Sequence, residues 1–176
     1  ILIGLGVLWG VVGTIYAFNQ EAVWAQLAGY VVIVAFQGMV TKVLLEFVLT
    51  AKNVTRDVIY AATAIYFLLG ALFVRIYGII ETVTYSATGA HAFSDPVVAV
   101  GQVFPWQSFI YYSYATLTTL GYGDVLPVTM LARSIASLQA VIGVLYTAII
   151  MARLVGLYAS ERNDSNANPE NSVVEQ

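Results

Sequence analysis

A chain of 176 residues that is 60% hydrophobic and 10% charged, with a mean hydropathy of +0.82, has too little polar surface to solvate an ordinary globule and reads as a membrane protein. Its formal net charge of −3 is scattered through loops and tails with no basic face, which excludes nucleic acid as a partner. Cysteine is absent, which excludes disulfides, thiolate zinc sites and thiol chemistry.

The chain opens inside an apolar run without a methionine and reads as the ordered part of a longer polypeptide. Residues 1–18, 26–50 and 57–80 are apolar runs that, at about 1.5 Å per residue, cross or nearly cross a ~30 Å hydrocarbon core. In the first, Gly6 and Gly10 form a GxxxG pair able to seat one helix against another. In the second, Lys42 and Glu46 lie one turn apart and read as a pair reaching for the inner interface. None of these runs has Arg or Lys at every third position, so no voltage-sensing helix is expected. Residues 81–105, punctuated by Gly, Ser, Thr and Pro, read as a loop in which His91 is a solvated histidine.

From Trp106, the run WQSFIYYSYATLT predicts a helix of only about 20 Å. The few extended residues after it return the chain to the side it entered, so the segment is re-entrant. Residues 128–158 predict the last span, about 46 Å long as a helix and therefore tilted or projecting. Residues 159–176 are polar and acidic and are expected to form a disordered cytoplasmic tail. The whole is an all-α membrane fold of four transmembrane helices plus a re-entrant helix and loop.

Lys52 and Arg56 in one connection, and Arg153 and Arg162 at the end of the last span, mark those ends as cytoplasmic. Residues 19–25 and 81–105 have no Lys or Arg and mark the outside. Both termini are then cytoplasmic, and the re-entrant segment enters from the outer face. Arg75 and Arg133 break the pattern and are expected to snorkel to the outer interface.

The stretch after the short helix, TLTTLGYGD at 116–124, is built from hydroxyls, glycines and an acid. Non-helical backbone survives within a membrane only where it is buried in protein or lines water, so this segment must line an aqueous path. Gly121 and Gly123 permit positive φ, and alternating them with Leu120 and Tyr122 turns successive carbonyls to one side. Such oxygens form a ladder of cation sites that holds an ion without a formal negative charge.

Thr119-Leu120-Gly121-Tyr122-Gly123-Asp124 resembles the signature of the tetrameric potassium channels. The ending LYTAIIMARLVGLY and the four-span layout are similar to small prokaryotic channels of the ion-channel-two type. The resemblance covers 57–158 as a pore domain of outer helix, pore helix, filter and inner helix, and leaves 1–56 as two additional N-terminal transmembrane helices. It implies that Thr119, Leu120, Gly121 and Tyr122 bind K⁺ through their carbonyls, with Gly123 completing the filter and Thr118, Asp124, Tyr111 and Tyr112 supporting it. It implies four copies around one axis, because one strand cannot surround an ion. Each short helix then aims its negative dipole end at the axis.

By the same resemblance Gly143 is an inner-helix hinge, with close helix packing as the plainer reading. Val144, Thr147, Met151 and Val155 form one helical stripe, read as cavity and gate, with lipid contact or packing on the outer helix as the alternative. Leu120 departs from the more frequent Val or Ile, Tyr111 and Tyr112 stand where the family often has Trp, and Ala115 stands where some members have a carboxylate.

The expected function is a homotetrameric, potassium-selective channel of the plasma membrane, passive and not an enzyme, with no cofactor and with K⁺ and the lipid bilayer as its partners. A weakly selective cation channel on the same scaffold, and a non-conducting four-span structural or auxiliary protein, are the alternatives.

Overall fold

The computed structural model describes residues 23–98, 102 and 104–167, and shows an all-α membrane protein. Helix α1 spans Val23–Thr50 and α2 Arg56–Thr88. A two-residue strand β1, Phe93–Ser94, precedes the short helix α3, Trp106–Leu117. Strand β2, Leu126–Pro127, precedes α4, Met130–Ala167. Helices α1, α2 and α4 are each long and apolar enough to cross a membrane. The expected first span, with Gly6 and Gly10, lies outside the described residues.

Local chemistry explains where the helices begin and end. Thr55 caps α2 by accepting the Val58 N–H, and Asp57 sits in the first turn where the helix dipole favours an acid. The helix stops at Gly89, whose φ of 71° suits a residue without Cβ and lets its N–H bond the Tyr85 carbonyl. This end lies eight residues beyond the expected one at 80. Ser86 and Thr88, read as loop residues, turn their hydroxyls back onto the carbonyls of Val83 and Thr84, which absorbs their polarity within the helix. Helix α4 likewise starts at Met130, where Thr129 accepts the Ala132 N–H. It continues to Ala167, so the first half of the expected tail is helical backbone; no Pro or Gly interrupts 157–167.

Helix α1 packs along α2, with Gln37 Nε2 donating to the Leu68 carbonyl at 2.9 Å. Lys42 and Glu46 pair at 3.7 Å with both side chains largely exposed, so the pair lies on a free face of α1 rather than bridging it to α2.

The α1–α4 connection falls on Arg153. Its Nε donates to the Val48 carbonyl at 3.2 Å and its Nη2 to those of Leu49 and Ala51. These belong to the end of α1, where the helix leaves its last carbonyls without intrahelical donors. One guanidinium therefore caps α1 and ties it to α4. Each hydrogen bond from a charged donor is worth about 1.5–3 kcal/mol, so Arg153→Ala is expected to lower the unfolding midpoint in detergent and to expose residues 51–55 to protease. Arg153→Lys restores part of the loss, because an ammonium cannot fork across carbonyls. An unchanged midpoint in the alanine variant would contradict this role.

Among the described residues, two clusters of buried side chains hold the bundle. One joins Val48 of α1, Val58 and Ile65 of α2 and Ile150 of α4. The other is aromatic, with Tyr77, Phe93, Phe109 and Tyr112 meeting edge to face. Lipid is as apolar as leucine, so ring packing and interhelical hydrogen bonds carry the association here.

Candidate functional site

The stretch 118–124 hangs between two anchors. Upstream is α3, whose last turn is closed by Thr118 donating its hydroxyl to the Tyr114 carbonyl at 2.7 Å. Downstream, β1 and β2 pair antiparallel, Phe93 with Pro127 and Ser94 with Leu126, and the Ala92 carbonyl accepts the Val128 N–H at 2.9 Å. Arg133 donates through Nε to the Pro127 carbonyl at 3.1 Å.

Between the anchors the backbone alternates. Thr119, Gly121 and Gly123 have φ of 59°, 54° and 79°, while Leu120 and Tyr122 between them keep negative φ. The N–H groups of Leu120 and Gly121 both turn back to the Ala115 carbonyl, at 2.8 and 3.2 Å. Among the described residues, the carbonyls of Thr119, Leu120, Gly121 and Tyr122 accept no hydrogen bond, and all four residues are exposed on the protomer. Four consecutive main-chain oxygens are thus without partners among the described residues, while the N–H groups of Leu120 and Gly121 are taken up by the end of α3. No Cβ at Gly121 or Gly123 would meet an atom within 4 Å, so these glycines answer to φ and not to space. Positive φ at Thr119, a β-branched residue, is a strain of about 1–3 kcal/mol held in place by its neighbours; nothing in its sequence announced it.

Of the supporting residues, Tyr111 and Asp124 come together: the phenol donates to Asp124 Oδ2 at 2.8 Å, and its ring is parallel to that of Tyr122 at 6.5 Å. That hydrogen bond holds the Asp124 carboxyl below the usual carboxylate range. Tyr112, the next residue along α3, is buried in the aromatic cluster against Tyr77 and Phe93, a cluster that also holds Val125 just beyond the 118–124 stretch.

Behind α3 lies a buried polar chain that sequence reasoning missed. Gln139 of α4 donates Nε2 to the Ser113 carbonyl and hydroxyl at 2.9 and 2.8 Å. Ser113 donates to the Gly70 carbonyl of α2 at 2.7 Å, and Tyr77 of α2 donates to Gln139 Oε1. The chain links all three helices with every amide group used. The signal was present in Gln139 itself, a lone amide in the most apolar span.

Gly143 lies against the end of α3. A Cβ there would sit 2.3 Å from the Leu117 carbonyl oxygen and 3.0 Å from Leu117 Cδ1. Close packing therefore accounts for this glycine. Gly143→Ala is expected to push α3 off α4 and to cost about 1–3 kcal/mol in an unfolding titration, with the current falling alongside. A variant with altered gating but unchanged stability would instead favour a hinge. Val144, Met151 and Val155 are exposed on the protomer, and Thr147 bonds the Gly143 carbonyl at 3.0 Å. Thr147 and Met151 also border a cleft against α2, whereas Tyr146 and Ile150 pack onto α2.

His91 corrects an expectation. Gly89 turns the loop back so that His91 Nδ1 meets Glu81 Oε1, the ring stacks on Tyr85 at 4.8 Å, and the side chain is half-buried instead of solvated.

A family model described as an ion channel matches residues 54–159, more than half of the chain and the whole of α2 through the 118–124 stretch to the apolar part of α4. The chain belongs to the ion channel family. No curated protein and no solved structure matches it. In this channel the family's region starts one residue before the cap of α2, and α1 lies outside it.

Proposed function

We propose that four copies of this chain form a potassium-selective channel of the plasma membrane, with the 118–124 strands gathered round the axis and both termini in the cytoplasm. The observation that supports this reading most is the alternation of positive and negative φ from Thr119 to Gly123, with four consecutive carbonyls that have no partner among the described residues. K⁺ is the cargo. The carbonyls of Thr119, Leu120, Gly121 and Tyr122, with the Thr119 hydroxyl, replace its water shell as it passes, and Gly123 lets the strand leave the filter. Four copies are required because one strand offers oxygens from one side only.

The remaining parts follow from the same placement. Helix α3 aims its carboxyl end at the axis, where its partial negative charge favours a cation. Tyr111 and Asp124 brace the outer end of the filter. Val144, Thr147, Met151 and Val155 line the inner cavity, and Val144, Met151 and Val155 are exposed on the protomer. No residue performs chemistry and no cofactor takes part; the work is desolvation of an ion and its return to water.

Two measurements on the purified full chain test this. Its mass in detergent, corrected for bound detergent, is expected to be four times that of the chain. Planar bilayers containing it are expected to show discrete single-channel currents in K⁺. A monomer or dimer, or bilayers that stay silent at protein densities where assembled complexes are present, would contradict the proposal.

A further inference from the structure

The ion pathway leaves one cluster of groups unused. A cleft of about 470 Å³ opens between α1, α2 and the start of α3, lined among others by Tyr30, Glu81, Tyr85, His91, Phe104 and Trp106. Its volume falls in the range of small-molecule sites, about 300–1,000 Å³. Its polar centre is well built. Glu81 is 6% exposed, with one carboxylate oxygen on His91 Nδ1 and the other accepting the Ala92 N–H at 2.8 Å. His91 stacks on Tyr85 and lies 6.0 Å from the Phe104 ring. Its second nitrogen, Nε2, is buried and has no partner among the described residues.

The hydrogen-bond pattern assigns the chemistry. A carboxylate at Nδ1 draws the imidazole proton to that nitrogen and leaves a lone pair on Nε2. An orphaned buried acceptor asks for a donor. The donor's charge is indicated by the surroundings: residues 76–132 contain Glu81, Asp95 and Asp124 but no Lys or Arg, and α1 adds only uncharged Val23, Gln26 and Tyr30 to the lining. An anionic headgroup has no partner there. A cation finds a buried carboxylate and aromatic faces.

We propose that this cleft binds a small organic ammonium ion. Its N–H donates to His91 Nε2, its charge is balanced by Glu81 through the imidazole, and its apolar body lies against Tyr85, Phe104 and Trp106. The titratable groups facing His91 are Glu81 and Tyr85 from α2 and Tyr30 from α1, while α3 contributes only Trp106 and Phe109.

The test is calorimetry on the full chain in an uncharged detergent, with phenethylammonium as probe and 2-phenylethanol as its neutral counterpart. Saturable binding is expected near pH 8, with the alcohol about tenfold weaker than the ammonium. His91→Gln and Glu81→Gln each weaken the ammonium while sparing the alcohol. Trp106 is 53% exposed, so Trp106→Leu keeps the fold and still weakens the probe. Absence of binding, equal affinity for ammonium and alcohol, or preference for a short-chain phosphatidylglycerol over the ammonium would each overturn the proposal. Binding is read directly on the protein, so these outcomes do not depend on whether the chain conducts K⁺.

Discussion

Gly121→Ala and Gly123→Ala are each expected to abolish K⁺ current while leaving the helices folded. The surroundings do not forbid the methyl group, since a Cβ at either position meets nothing within 4 Å. The penalty lies in the backbone. At φ of 54° and 79° an L-residue is disfavoured by about 1–2 kcal/mol, and in a ring of four the cost sums to about 4–8 kcal/mol. If the alanine escapes to negative φ, its peptide turns and one carbonyl leaves the row of Thr119 to Tyr122. An N–H then points where an oxygen stood, and a cation meets a positive dipole. Either outcome ends conduction. D-alanine at the same position, introduced by semisynthesis, accepts positive φ and is expected to restore current. Unaltered currents in the L-alanine variants would show that the alternating backbone is not the conducting element.

The second large effect is expected at Gln139. Its amide serves Ser113 and accepts from Tyr77, and all three side chains are at or near zero exposure. Gln139→Leu leaves the Tyr77 hydroxyl buried without an acceptor, at a cost of about 1–3 kcal/mol. Because Ser113 belongs to α3, the loss falls on the helix that carries the filter strand. Both a lower unfolding midpoint and unstable single-channel openings should follow. Tyr77→Phe combined with Gln139→Leu removes both partners, so the double variant is expected to be less destabilised than the sum of the single ones. Strict additivity would mean that Tyr77 and Gln139 do not act as a pair.

The three described spans and the positive φ of Gly121 and Gly123 were legible because their signals are local. Unbroken apolar runs define α1, α2 and α4, and Gly-Tyr-Gly defines a backbone that only glycine takes readily. Helix ends were less legible. Ser86 and Thr88 look like loop residues until their hydroxyls are seen bonding one turn back. Partners distant in sequence were not legible at all. Nothing local distinguishes Tyr111, which reaches Asp124, from Tyr112, which enters the core, because neighbouring helix positions face about 100° apart and tertiary packing decides between them. The same holds for His91, which only the Gly89 turn carries back to Glu81. The charge of Arg153 drew attention to the end of its span, but its role as the cap of α1 needs the last carbonyls of that helix in place.

The most direct test of carbonyl-based K⁺ selection is the reversal potential of the reconstituted channel with K⁺ and Na⁺ on the two sides of the bilayer. The account predicts a potential that moves by about 59 mV for each tenfold change in K⁺ and does not respond to Na⁺. A potential that tracks the sum of the two ions would contradict it.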